Sequence, residues 1–354
     1  MKSENTTIRI SDIARMAGVS AGTVDRVLHN RGRVSDEKRA KVEAVLREIN
    51  YRPNPLARTL ANSRRYRFVA LIPEYRAGEY WEQVALGIRR AGEALNGFGI
   101  DVEIVCFDQY DRGSFRNLLQ PIITQAPDAL VIATLFEAET IAICSRLDKL
   151  QIPYVFIDSN LKGCNNLSYF GVDSYQSGKV GAALMLRDQS SCYPVLSVLY
   201  ETADGELSLQ SRLRRTGFVD ALREWGHTGI HQTILLHPHR PEENRKQLRD
   251  AIDTIGACGL IVFNSRVHEV IGHYLPEKAV VRIIGYDLIA ANRKALIEGK
   301  ISFLIGQRAD IQGYDAVKAL SNHLLLDEKI EKQYFMPIDI LIRENIAYHN
   351  NYNL

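Results

Sequence analysis

Few cysteines, no long apolar run and almost no net charge bound what this chain of 354 residues can be. The five cysteines (Cys106, Cys144, Cys164, Cys192 and Cys258) are scattered, odd in number and never spaced C-x-x-C. That argues against a disulfide frame or a thiolate zinc site and for reduced thiols in a cytoplasm. No stretch approaches the ~20 apolar residues of a membrane span, and Met1 to Thr7 lacks the apolar core of a secretion signal. A soluble cytoplasmic protein without membrane contact is expected.

Catalytic signatures are also missing. There is no H-E-x-x-H, and the nine histidines show no metal spacing, so no metal and no cofactor are assigned. Gly178-Lys179 lacks the phosphate-loop spacing, and Gly97-Phe98-Gly99 precedes an apolar run where a dinucleotide fingerprint follows one. Gly18-Val19-Ser20-Ala21-Gly22 spells a hydrolase elbow, but a helical pattern stands where that elbow needs a strand. No catalytic residue is assigned, and the chain is not expected to be an enzyme.

What is present is charge asymmetry. Residues 1–65 hold 14 Lys and Arg against 7 Asp and Glu, whereas the remainder holds 30 against 35. A basic head on a mildly acidic body suits a head that meets a polyanion. In that head, Ser11 with Asp12 reads as the start of a first helix with Ile13, Ala14 and Ala17 on its buried face. Gly18 supplies the turn, Ser20 caps a second helix with Val24, Val27 and Leu28 turned inward, and its outer face carries Ala21, Gly22, Asp25, Arg26 and His29. Ser35 opens a third helix with Val42, Val45, Leu46 and Ile49 buried. This is the helix-turn-helix pattern, whose second helix enters the major groove of DNA. Asn54-Pro55 then starts a helix of about seven residues, too short to hold together alone in water.

Gly18-Val19-Ser20-x-x-Thr23-Val24-x-Arg26-Val27-Leu28-x-Asn30, Val34-Ser35 and Tyr51-Arg52-Pro53-Asn54-x-x-Ala57-Arg58-x-Leu60 resemble the head and hinge of the LacI/GalR family of bacterial transcription regulators. The resemblance implies that Arg26 reads a base edge, guanine by preference. It implies that Leu60 wedges into a minor-groove step. Ser11, Ser20, Thr23, Asn30, Asn54 and Arg58 would hold phosphate or support the fold. The chain departs from the family at Ala21 and Gly22, where larger base-reading side chains are usual, and at Asp25, where serine is usual. Sequence preference should then lean on Arg26, Leu60 and DNA deformability.

From Tyr66 onward, apolar runs alternate with amphipathic helical patterns, and the alternation restarts after Asp173. Continuous apolar strands separated by helices mean parallel sheets covered on both faces. Two sets mean two doubly wound lobes with a ligand at the carboxyl ends of the strands between them. The expected fold class is a small all-α head with a hinge helix, then an α/β body of two parallel-sheet lobes. The body resembles type I periplasmic sugar-binding proteins of the ribose-binding kind. The expected parts are a head over 1–52, a hinge over 53–65 and a body over 66–354. The first lobe would take 66–173 and 304–333, the second 174–303 and 334–354.

Candidate ligand residues follow strands. Tyr80 and Trp81 lie in the loop after the first, where the resembled proteins stack aromatics on a sugar. Asp158, Asn264 and Asp287 each end one, Gln307 follows Phe303-Leu304-Ile305, and Arg214 starts a helix facing the cleft. Carboxylates, amides and a guanidinium beside aromatic planes suit polyol recognition, because hydroxyls both donate and accept while C–H faces stack on rings. The plainer readings are core aromatics for Tyr80 and Trp81, helix caps for Asp158 and Asp287, and a solvated face for Arg214 within Arg212-Leu213-Arg214-Arg215. The combined expectation is a DNA-binding transcriptional regulator, a repressor by the resemblance. It would act as a homodimer on an approximately palindromic double-stranded operator, controlled by a sugar or polyol effector. A body that answers to a protein partner, or a sugar-modifying enzyme, is the alternative.

Overall fold

The computed structural model describes residues 10–28, 32, 34–49, 64–202, 205–275 and 280–349. The chain divides into two compact units, 1–63 and 64–354. His29, Asn30, Asn54, Arg58 and Leu60, with the expected hinge helix, lie outside the described residues.

In the first unit, helices α1 (Ile10–Ala17), α2 (Ala21–Leu28) and α3 (Asp36–Glu48) enclose one small core. Ile13, Ala14, Ala17, Val24, Val27, Val42 and Val45 fill it. The turn between α1 and α2 depends on Gly18, whose φ of 64° is costly for a residue with a Cβ. Ser20 caps α2 by accepting from the Thr23 amide at 3.2 Å, and the two hydroxyls lie 2.9 Å apart. α1 begins at Ile10, so Ser11 stands inside the first turn and is not its cap. Ser35 precedes α3 without a side-chain capping bond.

The second unit contains two six-stranded sheets. The first has the order β11-β5-β4-β3-β1-β2, with β1 (Tyr66–Pro73), β2 (Ile100–Phe107), β3 (Ala129–Ala133), β4 (Tyr154–Ile157), β5 (Tyr169–Gly171) and β11 (Gln333–Phe335), all parallel. The second has the order β12-β10-β9-β8-β6-β7, with β6 (Val195–Tyr200), β7 (His231–Leu236), β8 (Cys258–Val262), β9 (Val280–Tyr286) and β10 (Phe303–Gly306) parallel. Only β12 (Asp339–Leu341) runs antiparallel there, against β10.

Helices cover both faces, as continuous apolar strands require. In the first lobe α4 (Tyr80–Asn96) and α11 (Ala309–Leu326) share one core, while α5 (Arg112–Thr124) and α6 (Glu137–Leu150) share the other. In the second lobe α7 (Ser174–Leu186) and α8 (Leu209–Glu224) cover one face, and α9 (Pro241–Ile255) with α10 (Ala290–Ile297) covers the other.

The expected lobe boundaries at 303/304 and 333/334 need correction. β10 pairs with β9, so the chain leaves the second sheet after Gly306; β11 pairs with β5, so it leaves the first sheet only after Phe335. The physical reason is that a strand of three or four residues is assigned by its hydrogen-bond partner, which no local pattern records. Arg308 and Asp339, on two of the crossing segments, are tied by bonds of 2.8 and 3.1 Å. Among the described residues, no helix is long and apolar enough to cross a membrane.

Candidate functional site

The carboxyl ends of both sheets face one cavity of about 470 Å³. Asp158 ends β4 and Asp287 ends β9, the corresponding strands of the two lobes. Both have φ of 69°, a left-handed conformation that L-residues adopt at a cost of about 1–2 kcal/mol. That backbone holds each carboxylate on the cavity wall. Neither caps a helix: the following helix α10 is preceded by Ile289, and Asp158 is followed by the bend that leads to β5.

A buried chain of polar groups joins the two. Gln210 Nε2 donates to Asp158 Oδ1 at 2.9 Å, and Gln307 Nε2 donates to Asp287 Oδ1 at 2.7 Å. Arg214 is wholly buried and donates from Nη2 to Gln307 Oε1 at 3.1 Å and from Nη1 to the Phe263 carbonyl at 2.9 Å. Its guanidinium lies 4.0 Å from the centre of the Tyr286 ring. A fully buried cation is costly unless paired and hydrogen-bonded, and two carboxylates, a carbonyl and an aromatic face supply that compensation. Its Nε remains without a partner.

Burial raises the pKa of Asp158, against the opposing charge of Arg214. Burial likewise raises Asp287 to about 6, and Arg214 again opposes it. Tyr80 and Trp81 stand in the first turn of α4, not in a loop, with ring centres 5.1 Å apart and near-perpendicular planes. They are buried in the first-lobe core and also line the cavity, so the core and cavity roles coincide. The Tyr80 hydroxyl is buried beside the Asp158 carboxylate, and burial together with that charge raises its pKa.

Arg214 does not start its helix, which begins at Leu209 behind the Ser208 cap; it lies in the second turn. Of the run 212–215 it is the residue that points inward, while Leu213 is exposed and Arg212 pairs with Glu137 of the first lobe. Asn264 lines the cavity, but its Oδ1 accepts from the Arg266 amide at 3.0 Å in a local turn. Gln210 was not anticipated from the sequence. Its only signal is its place four residues before Arg214, one turn away on the same helix face. Three further contacts hold the lobes together across the opening: Arg112 with Glu206, Arg212 with Glu137, and Arg266 against the Tyr110 ring at 5.3 Å.

On the head, Ala21, Gly22 and Arg26 are exposed along one face of α2 and Asp25 is half-buried. Thr23 is buried against Ser20, a place that supports the turn.

Comparison with known proteins bears on both units. The bacterial regulatory proteins of the lacI family match residues 9–54, and the periplasmic binding protein domain matches residues 69–328. The HTH-type transcriptional regulator DegA of Bacillus subtilis is 30% identical over 286 residues, covering 78% of this chain and 81% of DegA. The chain belongs to the lacI family of bacterial regulatory proteins. Catabolite control protein A of Staphylococcus xylosus, another lacI-type relative, is 42% identical over 175 residues, about half of each chain (49% and 50%). Among solved structures, a candidate LacI transcriptional regulator from Bacteroides fragilis matches with a TM-score of 0.73 at 32% identity, covering 81% of this chain and all (100%) of that one. A solute-binding protein of Burkholderia graminis C4D1M in complex with D-arabinose shares the fold, with a TM-score of 0.70 at 14% identity over 81% of this chain and 99% of its own. This lacI-family chain is thus a DNA-binding transcriptional regulator whose body has the periplasmic-binding-protein fold.

Proposed function

We propose that this regulator is a cytoplasmic homodimeric repressor whose operator affinity is set by a neutral polyhydroxylated ligand, a sugar or polyol, bound between the lobes. One observation carries the reading. Asp158 and Asp287, one from each lobe, are linked through Gln210, Gln307 and Arg214 around a cavity walled by Tyr80 and Trp81. Two carboxylates, two amides backed by the buried Arg214 guanidinium, and aromatic faces match alternating hydroxyls and C–H faces of a sugar. Arg214, the fully buried arginine among the described residues, is already balanced by two carboxylates, which disfavours a phosphate ester at that cluster. Gln210 and Gln307 can each donate and accept, which suits hydroxyls of either orientation.

A ligand that touches both lobes binds their closed arrangement better than an open one, and only such a difference can shift DNA affinity. On DNA, Arg26 is the base reader, with Ala21 and Gly22 allowing the recognition helix a close approach and Asp25 orienting Arg26. Ser11, Ser20, His29, Asn30, Asn54 and Arg58 contribute phosphate contacts or support them, and Leu60 provides the minor-groove wedge. The regulator acts as a pair of chains because one head reads too few base pairs. Asn264 serves the ligand through its free amide donor. Thermal shift of the full-length protein across a carbohydrate panel tests the effector reading. A specific stabilisation is expected that Asp287→Ala and Trp81→Ala abolish; silence across the panel rejects it.

A further inference from the structure

The cavity holds a second recognition set that the Asp158–Arg214–Asp287 cluster does not use. Beyond the turn at Asn264, the Arg266 guanidinium lies between two tyrosine rings. It is 5.3 Å from the centre of Tyr110, in the first lobe, and 5.1 Å from that of Tyr200, in the second. Glu269 stands 3.8 Å from Arg266 and accepts from the Tyr200 hydroxyl at 3.4 Å. The Tyr110 hydroxyl is buried without a hydrogen-bond partner. All of these residues line the same cavity. Both sets have an arginine on an aromatic face and a carboxylate, and in the second the arginine itself lines the cavity beside an orphan phenol. A buried hydroxyl left unpaired is costly, and a ligand hydroxyl supplies the missing partner.

One cavity takes in both sets: its lining includes Asp158, Gln210 and Asp287 as well as Tyr110, Tyr200, Arg266 and Glu269.

We infer that the effector is a disaccharide-sized glycoside, with one unit on the Asp158–Arg214–Asp287 cluster and the second against Arg266, Tyr110 and Tyr200. The inference rests on the sugar reading above and adds the size of the ligand. The five-residue π-helical turn Val270–Tyr274 directly follows this set. Such turns often accompany functional sites, because they re-aim the side chains beside them.

Isothermal titration calorimetry on the full-length protein tests it, with glucose, galactose and fructose set against cellobiose, lactose and sucrose. At least one disaccharide should bind about tenfold or more tighter than its component monosaccharides. Tyr110→Phe should erase that surplus while leaving monosaccharide affinity within about twofold, and Arg266→Ala, which also removes a contact between the lobes, should weaken the disaccharide at least about tenfold more than the monosaccharide. The phenylalanine variant keeps the ring under Arg266 and removes only the orphan hydroxyl, so a folding defect cannot mimic the result. Monosaccharides binding as tightly as every disaccharide, or variants weakening both sizes alike, overturn the two-unit inference and leave the sugar reading standing. No heat from any of the six sugars rejects both.

Discussion

At the scale of single residues, the cavity's polar groups are buried in an arrangement that leaves some of them wanting. Asp287 is the clearest case. Burial lifts its carboxyl to about 6, so it holds a proton more readily in the folded protein than in the unfolded chain. The ionised form therefore costs stability above pH 6, and that cost fades as the pH falls through 6 towards the ordinary carboxylate range. Asp287→Asn keeps an acceptor for Gln307 and removes the charge. The ligand-free variant should be more stable than the parent by about 2–3 kcal/mol near pH 8. The gap in Tm should close on acidification, while the response to ligand is lost. Urea unfolding across that pH range checks the sign, and a gap that widens in acid contradicts the assignment. Asp158 and Asp287 were legible in the sequence because each is a polar residue ending an apolar strand. Asn264 looks the same from the sequence, yet its oxygen closes a local turn. That distinction depends on backbone direction, which residue spacing does not carry.

At the scale of elements, each lobe contains a pair of helices crossing at reciprocal glycines. A Cβ at Gly87 would lie 1.8 Å from the Asp310 carbonyl, and one at Gly313 would lie 2.4 Å from that of Val84. In the second lobe, a Cβ at Gly178 would meet the Arg214 carbonyl, and one at Gly217 that of Tyr175, each at 1.9 Å. The second crossing fixes α8, the helix that carries Gln210 and Arg214. Gly217→Ala should push α7 and α8 apart, cost about 1–3 kcal/mol and blunt the ligand response, although residue 217 touches no ligand. Gly97→Ala, where a Cβ meets nothing within 4 Å, is the control and should change neither. Unfolding curves and thermal shift read both variants. The main strands were legible because their apolar runs are continuous; β3 is buried at every position. β11 was not, since Gln333, Tyr334 and Phe335 are all exposed, and an edge of three residues has no pattern to distinguish it from loop. The helical start at Tyr80 and Trp81 is hidden in the sequence because Glu79, which precedes α4, gives no side-chain cap to announce the helix.

At the scale of the whole molecule, charge is divided between a basic head and an acidic body, so salt should act chiefly through the head. On a duplex selected from a random pool, the binding constant should fall by about 0.9 log units per log unit of salt for each phosphate neutralised. Fluorescence anisotropy over a salt series measures the slope. A flat line would deny the head its contact with the DNA backbone.

The interleaving of the two sheets has a consequence for how this sensor can change over time. The chain passes between lobes three times, and the last passes place β11 in one sheet and β12 in the other within a few residues. Neither lobe is a contiguous stretch of gene. Recombination cannot exchange one half for a foreign copy at a single junction, and a frameshift after residue 330 strips an edge from both halves at once. New specificities must therefore arise by point substitution inside the cleft, with the scaffold inherited whole.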